Sequence, residues 1–418
     1  MELTRHYAES LDKRDPLGSF RSKFLIPENE HGQRVYFLGN SLGLQPKSTS
    51  TAIDFILQQW ANEGVESFHK GERPWLQLHD QLVQPVSTIV GALKSEVSIM
   101  GQLTGNIHLM MVSFYRPSGK RNKILMEAKA FPSDQYAVYS YIEHLGLNPD
   151  EVILLVKPQQ GKAHIDEETL LQLIETHRDE IALVFLGGVN YYSGQLFDIK
   201  KISAAAKDAG ALVGWDLAHA AGNVELKLHD WQVDFACWCS YKYMNGGPGA
   251  VAGIFVHEKH IHDPHCKRLT GWWGYKRDER FKMHDRFVPE PDATAWQVST
   301  PSMILYACLK ASLHLVEEAG WPVILEKQRL MIDWLKQIIH DLHSPLFTCI
   351  TPDSRGCQVS LLFHEKGRMV YDRLFEKGFM VDWREPNVIR LAPVPLYNTF
   401  TEIWMFREAM KQILTELA

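Results

Sequence analysis

The feature that most constrains the fold is a series of short apolar runs that alternate with amphipathic helical patterns. The runs lack polar alternation, which is typical of strands buried on both faces. The helical patterns include apolar spacing of i, i+3, i+4 and i+7 over residues 107–114 and 138–145. Buried strands that alternate with helices predict an α/β fold with a mostly parallel sheet, whose ligands bind beyond the carboxyl ends of the strands. The predicted strands are Ile124–Met126, Val152–Val156, Ile181–Leu186, Leu212–Trp215, Phe235–Cys239 and Val251–Val256.

The C-terminal part of the chain has a different pattern. A long helical stretch from about Ser302 to Leu342 is interrupted near Gly320–Pro322. Short strand-like runs follow at Gln358–Phe363 and Val388–Leu391, and the chain ends in an amphipathic helix. This mixture predicts a second, smaller α+β domain.

These patterns predict two domains. We expect a large domain over residues 51–305 and a small domain formed by residues 1–50 together with 306–418. The hydrophobic fraction of 45% and the charged fraction of 22% are those of an ordinary globular protein. The chain therefore has enough apolar material for a large core.

Charge and cysteine usage argue against several classes of protein. The 44 basic and 50 acidic residues give a net charge of −6, whereas nucleic acids and membrane surfaces usually attract a basic face. No apolar run approaches the ~20 residues of a membrane-spanning helix, and Met1 to Asp15 lacks the apolar part of a secretory signal. Cys237 and Cys239 lack further ligands at metal-binding spacing, so we expect reduced thiols, no metal and a cytoplasmic protein.

A lysine follows directly on the predicted strand Phe235–Cys239. Burial disfavours the charge of a lysine, so the position of Lys242 directly after a buried strand requires a reason. One reason is an imine with a carbonyl cofactor, which requires a neutral amine. The glycine-rich segment 246–249 would let the backbone approach a ligand closely. From this motif alone, a surface lysine followed by an ordinary turn is an equal alternative.

An aspartate stands at the carboxyl end of another predicted strand, Leu212–Trp215. Asp216 would face the ligand crevice, where a carboxylate can hold the proton of a pyridinium nitrogen. His219, three residues later, could touch the same ring. Asp216 could equally be a helix cap, and His219 a satisfied polar residue at a helix start.

Two loops that precede helices could complete a binding site. Gly101–Asn106 contains small and hydroxyl residues before a helix, where free N–H groups favour a phosphate. Phe131, in Phe131–Asp134, could lie flat on a heteroaromatic ring. The first loop could also be an ordinary cap, and Asp134 simply the N-cap of the next helix.

Together the four segments bring a phosphate cradle, a stacking ring, a pyridinium partner and an imine-forming lysine to the ends of successive strands. This combination is far more specific than any of its parts. It is the set of groups expected for pyridoxal 5′-phosphate in the aminotransferase-like fold of type I.

The sequence also resembles the kynureninase family over nearly its whole length. The resemblance implies a pyridoxal-phosphate hydrolase of fold type I, with a mostly parallel seven-stranded sheet and a smaller α+β domain. It further implies cleavage of L-kynurenine or L-3-hydroxykynurenine to anthranilate or 3-hydroxyanthranilate plus L-alanine, in tryptophan degradation and NAD biosynthesis. A homodimer with active sites at the subunit interface is expected. The matching segments are Tyr36–Leu44, Gly71–Trp75, Phe131–Asp134, Asp216–His219, Phe235–Tyr243, Gly271–Gly274 and Arg390–Tyr397.

The resemblance assigns a role to each candidate residue. Lys242 would carry the cofactor as an imine, Asp216 would pair with the ring nitrogen, and Tyr241 would help proton transfer. Arg390 would clamp the α-carboxylate of the substrate, which suits a two-pronged guanidinium; Arg384 is the alternative. The remaining cofactor contacts would be Leu103, Thr104, Phe131, Asp134, His219, Tyr241, Trp272 and Thr300. The substrate pocket would also include Ser41, His69, Trp272 and Thr300.

Two departures from the family pattern and two rival functions stay open. Some relatives have a serine that touches the cofactor where this chain has Gly187, and His69 is displaced by one position from the family's histidine. The nearest rival is a relative of the same fold, such as a cysteine desulfurase or a small-substrate aminotransferase; a desulfurase would need a mobile nucleophilic cysteine, for which Cys357 is the candidate. A non-catalytic pyridoxal-binding regulator would need a DNA-binding module, for which neither end of the sequence has room.

Overall fold

The helices flank a central sheet and continue into the C-terminal part of the chain. The structure is a computed structural model that describes residues 2–30, 32–353, 356 and 358–417. None of the helices in these ranges is both long and apolar enough to cross a bilayer. The α-helices are α1 (Arg5–Arg14), α2 (Thr49–Glu63), α3 (Leu78–Val90), α4 (Leu103–Phe114), α5 (Pro132–His144), α6 (Pro149–Val152), α7 (Glu167–Thr176), α8 (Ile199–Asp208), α9 (Glu258–Ile261), α10 (Met303–Ala319), α11 (Trp321–Asp341), α12 (Gly367–Glu376) and α13 (Phe400–Leu417).

The strands form one large sheet and several small ones. The large sheet has seven strands, which are in spatial order β6 (Val97–Ile99), β12 (Gly253–Val256), β11 (Phe235–Trp238), β10 (Leu212–Asp216), β9 (Ile181–Gly187), β7 (Lys123–Glu127) and β8 (Ile153–Val156). Strand β12 is antiparallel to β11 and β6, and the other pairs are parallel, which confirms the predicted sheet. The other strands are β1 (Phe24–Leu25), β2 (Glu28–Asn29), β3 (Gly32–Gln33), β4 (Val35–Tyr36), β5 (Gln45–Pro46), β13 (Phe347–Cys349), β14 (Val359–Phe363), β15 (Phe379–Met380), β16 (Asp382–Arg384) and β17 (Val388–Leu391).

Both faces of the large sheet are buried. Alternate residues of β11 face opposite sides, with Phe235 and Cys237 in one apolar cluster and Trp238 in the other. The ring of Phe235 stacks on Phe114 of α4, with ring centroids 4.7 Å apart. A Cβ at Gly214 would lie 2.0 Å from the Phe235 ring, so this strand packing requires glycine. The continuous apolar runs are explained by helices that cover both faces.

Two differences from the sequence expectations have simple causes. The edge strand β6 is only three residues long, too short to stand out as an apolar run. Leu145, placed at the end of a helical face, is the C-cap of α5 and is 40% exposed.

The expected interruption of the long C-terminal helix lies at Gly320, whose φ of +81° ends α10 before α11 begins.

The C-terminal part contains an antiparallel sheet in the order β13-β14-β17-β16. The N-terminal segment packs onto it, since β4 pairs with β15 and Leu38 forms a bridge to Ala392. The same segment reaches the large sheet, because the Gly43 N–H donates to the carbonyl oxygen of Tyr241 at 2.8 Å. The N-terminal residues therefore connect the C-terminal sheet to the loop after β11; the division at residues 51 and 305 stays a prediction.

Candidate functional site

Several parallel strands of the large sheet end at one cavity of about 370 Å³. Glu127 ends β7, Gly187 ends β9 and Asp216 ends β10, and all three line this cavity. The topology thus brings the ends of distant segments together, as the strand order requires. The predicted residues on the cavity wall are Leu103, Thr104, Phe131, Asp134, Asp216, His219, Tyr241 and Lys242.

Lys242 lies in the turns after β11 and is 8% exposed. Its amine lies 5.9 Å from the ring centroids of Phe131 and Tyr241. Among the described residues it has no hydrogen bond or ion pair. The backbone is fixed from behind, since a Cβ at Gly43 would lie 2.4 Å from the Lys242 carbonyl oxygen. The loop therefore holds a buried amine ready for a ligand.

Asp216 and Asp134 form a carboxyl pair on the cavity wall. Their side chains are hydrogen-bonded to each other, and the Ala218 N–H donates to Asp216 Oδ1 at 2.8 Å. Burial, and then the charge of Asp216, raise the pKa of Asp134 well above its ordinary value. Asp134 lies inside the first turn of α5 rather than at its N-cap, which is Phe131. The raised pKa values favour a proton on the pair, since the charge of Lys242 offsets burial only in part and neither carboxyl forms a salt bridge within the described ranges.

The start of α4 forms an open cradle. Its N-cap, Gln102, makes no side-chain capping hydrogen bond, and Leu103, Thr104 and Gly105 line the cavity. The first N–H groups of a helix have no partner within the helix. A Cβ at Gly105 would meet no atom within 4 Å, so the approach is open. This end of the cavity is suited to an anion such as phosphate.

His219 is buried beside the carboxyl pair. Its side chain is hydrogen-bonded to Gln358, while its Nδ1 has no partner in the described part of the chain. Burial, and then the positive charges of Lys242 and Arg390, lower the pKa of His219 well below its ordinary value. No helix begins at His219, so the interpretation as a satisfied helix-start residue is wrong.

Phe131 and Tyr241 supply the aromatic part of the wall. Phe131 is 37% exposed, and its ring meets that of Tyr191 edge-on, with centroids 5.2 Å apart. Tyr241 is hydrogen-bonded to the thiol of Cys239. Burial, and then Cys239, raise the pKa of Tyr241 above its ordinary value, so its hydroxyl keeps its proton at neutral pH.

The candidate substrate residues Arg390 and Ser41 lie beside the cavity rather than on its wall. Arg390 is 1% exposed and donates from Nη1 to the carbonyl oxygen of Tyr191 at 2.6 Å. Its Nε donates to Asp382 Oδ2 at 2.6 Å, and Ser41 Oγ donates to Asp382 Oδ1 at 3.2 Å. Tyr191, which lines the cavity, therefore connects this group to it.

Three candidate residues lie on the surface, away from the cavity wall. His69 and Thr300 are exposed, and Trp272 is 46% exposed. His69 and Trp272 both contact the ring of Phe281, at centroid distances of 5.3 and 5.4 Å. Within one subunit, these residues are not brought together with Lys242.

The residues that sequence reasoning missed are Glu127, Tyr191, Gln358 and Asp382. Glu127 carries the same signal as Asp216, a carboxylate that ends an apolar strand, and could have been found. Asn190 Nδ2 donates to its Oε2 at 2.9 Å, and burial raises the pKa of Glu127 to about 7. Tyr191 lies in the loop directly after β9, which also follows a predicted strand, whereas Gln358 and Asp382 reach the site through long-range packing, for which the sequence has no local signal.

The unsatisfied groups of the cavity match pyridoxal 5′-phosphate. Asp134 Oδ1 and His219 Nδ1 are buried without partners in the described ranges, the amine of Lys242 is unpaired, and the start of α4 is open. The aldehyde of the cofactor can condense with the amine of Lys242, its protonated ring nitrogen can pair with Asp216, and its phosphate can bind at the start of α4. The residues therefore fit the cofactor that the sequence predicts.

Comparison with known families covers nearly all of the chain. The Aminotransferase class-V family matches residues 35–366, and the Kynureninase C-terminal domain matches residues 324–410. The kynureninase of Flavobacterium johnsoniae is 47% identical over 98% of this chain and 98% of its own length.

Solved structures with a similar fold have much lower identity. The cysteine desulfurase CsdA from Escherichia coli has a TM-score of 0.76 at 15% identity, over 96% of this chain and 99% of that one. A C-DES mutant with glycine covalently linked to its PLP cofactor has a TM-score of 0.74 at 18% identity, over 90% and 96% of the two chains. At such identities the likeness shows the fold alone.

Proposed function

The chain belongs to the kynureninase family, and from this we propose that it hydrolyses the Cβ–Cγ bond of L-kynurenine or L-3-hydroxykynurenine with pyridoxal 5′-phosphate as cofactor. The products would be L-alanine and anthranilate or 3-hydroxyanthranilate. The observation that carries the proposal is the unpaired, buried amine of Lys242 in one cavity with Asp216.

The proposed cofactor residues would each bind a different part of pyridoxal 5′-phosphate. Bound pyridoxal phosphate supplies an aldehyde that condenses with amines and a protonated ring that withdraws electrons from the substrate. Lys242 would be the covalent anchor, Asp216 would hold the proton of the ring nitrogen, and Phe131 would pack against the ring. The N–H groups at Leu103 and Thr104 bind the phosphate, and Asp134, His219 and Tyr241 complete the contacts.

Proton transfer falls to two neighbouring residues. The amine of Lys242 would accept the proton from the substrate Cα, since it is buried and has no competing hydrogen bond among the described residues. Tyr241 keeps its phenolic proton at neutral pH because its pKa is raised. Its hydroxyl would therefore be able to donate a proton to the substrate, whose γ-carbonyl must gain water before the carbon–carbon bond breaks.

Substrate binding is assigned to the group beside Tyr191. The guanidinium of Arg390 binds the α-carboxylate, because it is a planar, permanently charged fork. Ser41 borders the same position through its hydrogen bond to Asp382. Burial keeps water from competing for the carboxylate.

We further propose a homodimer in which each cavity is completed by the partner subunit. The support is a group of exposed apolar side chains in one segment, Trp272 (46%), Phe281 (54%) and Met283 (73%), which a partner subunit would shield from water. A second subunit seated there would allow His69, Trp272 and Thr300 to reach its cavity. A cytoplasmic location is also proposed, supported by the free thiols Cys237, Cys239, Cys266, Cys308 and Cys349.

The test is a turnover assay with the purified chain, pyridoxal phosphate and each of the two kynurenines. We expect fluorescent aromatic product and an equal amount of alanine. The Lys242→Ala variant is the control and should give neither product. Cysteine is the second substrate, because a desulfurase would release alanine from it; Cys357, which that reaction would need, lies outside the described residues.

Alanine from cysteine with no product from either kynurenine would overturn the proposal in favour of the desulfurase. Equal rates for wild type and Lys242→Ala would overturn the assignment of the lysine.

A further inference from the structure

A buried charge pair joins two strands of the C-terminal sheet. In the antiparallel register of β16 and β17, Asp382 lies directly opposite Arg390. Asp382 Oδ2 accepts from Arg390 Nε at 2.6 Å, and the side chain of Arg390 is 1% exposed. The strand pairing therefore fixes this contact, because both residues belong to regular strands rather than to loops.

A second contact fixes the plane of the same guanidinium. Arg390 Nη1 donates to the Tyr191 carbonyl oxygen at 2.6 Å. Tyr191 lines the cavity that contains Lys242. With Nε and Nη1 both engaged, the guanidinium cannot rotate about its axis, and Nη2 has no hydrogen-bond partner among the described residues. One edge of the fork is thus left for a ligand.

The charges around Asp382 do not balance. Arg384 Nη2 lies 3.5 Å from Asp382 Oδ1, so one carboxylate faces two guanidinium groups. Arg384 Nε is buried without a partner in the described ranges. Ser41 adds a hydrogen bond to Asp382 Oδ1 but no charge. One net positive charge remains, which matches the single α-carboxylate of an amino acid.

We propose that Asp382 is a positioning residue that orients Arg390 toward the α-carboxylate of the substrate, with Arg384 as the second cation of the clamp. This inference rests on the proposed function, since it assumes an amino-acid substrate. Asp382 itself does not touch the substrate. It fixes Nε of Arg390 and leaves the pair of arginines with the charge that the carboxylate neutralises.

The test compares Asp382→Ala with Asp382→Asn in the holoenzyme. Alanine removes the acceptor for Arg390 Nε, so we expect KM for kynurenine to rise on the order of 100-fold, as for a misplaced binding group, with kcat changed less than about threefold. Asparagine keeps an oxygen at the same position, so KM should return to within roughly tenfold of wild type. The visible absorbance of the bound cofactor should be unchanged in both.

Two probes separate positioning from a general structural role. L-Alanine carries the α-carboxylate, and its binding, followed by the cofactor absorbance, should weaken in Asp382→Ala. The ketone 2-aminoacetophenone lacks the α-carboxylate, and its inhibition constant should not change. Asp372→Ala is the matched control, because Asp372 forms an exposed pair with Arg368 on α12, and it should behave as wild type.

Equal KM values for Asp382→Ala and wild type would overturn the inference, as would an asparagine variant as weak as alanine or an equal loss of affinity for both probes. If the alanine variant does not fold, Asp382→Ser replaces it, since the shorter hydroxyl cannot reach Arg390. Wild type that turns over neither kynurenine would contradict the proposed function instead. Alanine binding would still test Asp382 in that case.

Discussion

Buried carboxylates have different partners at the two ends of the large sheet. At the amino end, Asp234 precedes β11 and accepts from the Val213 N–H at 2.7 Å, from His260 at 2.7 Å and from Lys259 at 2.7 Å. Burial opposes its charge, yet these partners hold the pKa of Asp234 below its ordinary value. Glu96, also at this end, is fully buried and equally well paired.

At the carboxyl end, Glu127 and Asp216 accept hydrogen bonds from neutral groups, but among the described residues neither they nor Asp134 form a salt bridge. Burial raises the pKa values of Asp134, Asp216 and Glu127, and the amine of Lys242 has no hydrogen bond among the described residues. Burial is similar at the two ends, so the difference lies in pairing. Paired charges stabilise the fold, whereas unpaired ones at a cavity are available for a ligand, at a cost in stability.

The largest expected effect is on turnover, from a substitution at the carboxyl end. Asp216→Asn keeps an oxygen for the Ala218 N–H and loses the charge that would hold the ring proton. We expect kcat to fall roughly 1000-fold, as when a preorganised electrostatic group is removed. The melting temperature of the protein without cofactor should not fall, because an unfavourable buried charge is removed. Near-normal turnover would show that the charge of Asp216 at the carboxyl end is not needed for catalysis.

The matching substitution at the amino end should act on stability. Asp234→Ala leaves Lys259, His260 and the Val213 N–H without their shared acceptor, which should cost about 4 kcal/mol of unfolding free energy. Urea unfolding at neutral pH measures this loss, and kcat of the folded fraction should stay near wild type. Because the folded pKa is lowered, the contribution is present above the ordinary value of 3.8 and is lost as pH falls below it. An Asp234→Ala variant that is stable but inactive would contradict the prediction, because it would assign turnover rather than stability to the amino end of the sheet.

The pH dependence of stability should also reveal the buried carboxylate Glu127 at the carboxyl end. Glu127 has a folded pKa of about 7 against an ordinary 4.5, so between these values the folded chain holds a proton that the unfolded chain has lost. Its contribution to stability therefore falls as pH rises through this window, by about 3 kcal/mol in total. Glu127→Gln should match wild type near pH 4.5 and be more stable at pH 8. Melting temperatures of the cofactor-free protein at both pH values provide the measurement, and a less stable variant at pH 8 would contradict the prediction.

The smallest effect is expected beside the cavity. Arg390→Ala should raise KM on the order of 100-fold through loss of a buried charged contact, with the cofactor still bound. Arg390→Lys should recover only part of the affinity, since a lysine lacks the planar fork. Steady-state kinetics with cofactor absorbance as the control would test this. An unchanged KM would point to Arg384 as the main partner of the carboxylate.

Local rules predicted the parts of the site that lie at strand ends and helix starts. Asp216 and Lys242 follow buried strands, and Thr104 opens a helix, so the strand order alone brings them together. Those rules also recovered the strand Ile181–Gly187 almost to the residue, because its apolar run is continuous. The edge strand Val97–Ile99 was too short to give such a signal.

The remaining residues depend on contacts between distant segments. Gln358 meets His219 where the C-terminal part of the chain contacts the loop after β10, and Asp382 meets Ser41 where the N-terminal segment packs onto the C-terminal sheet. No periodicity in the sequence encodes such contacts. Trp272 and Thr300 were assigned by resemblance alone and lie on the surface of the chain, so the roles proposed for them would require the proposed homodimer.

The most direct test of the account is to find which lysine carries the cofactor. The protein would be incubated with pyridoxal phosphate, reduced with borohydride to lock the linkage, digested and examined by mass spectrometry. We expect the mass of the reduced cofactor on the peptide that contains Lys242, and its absence from that peptide in Lys242→Ala. A label on another lysine, with Lys242 unmodified, would contradict it.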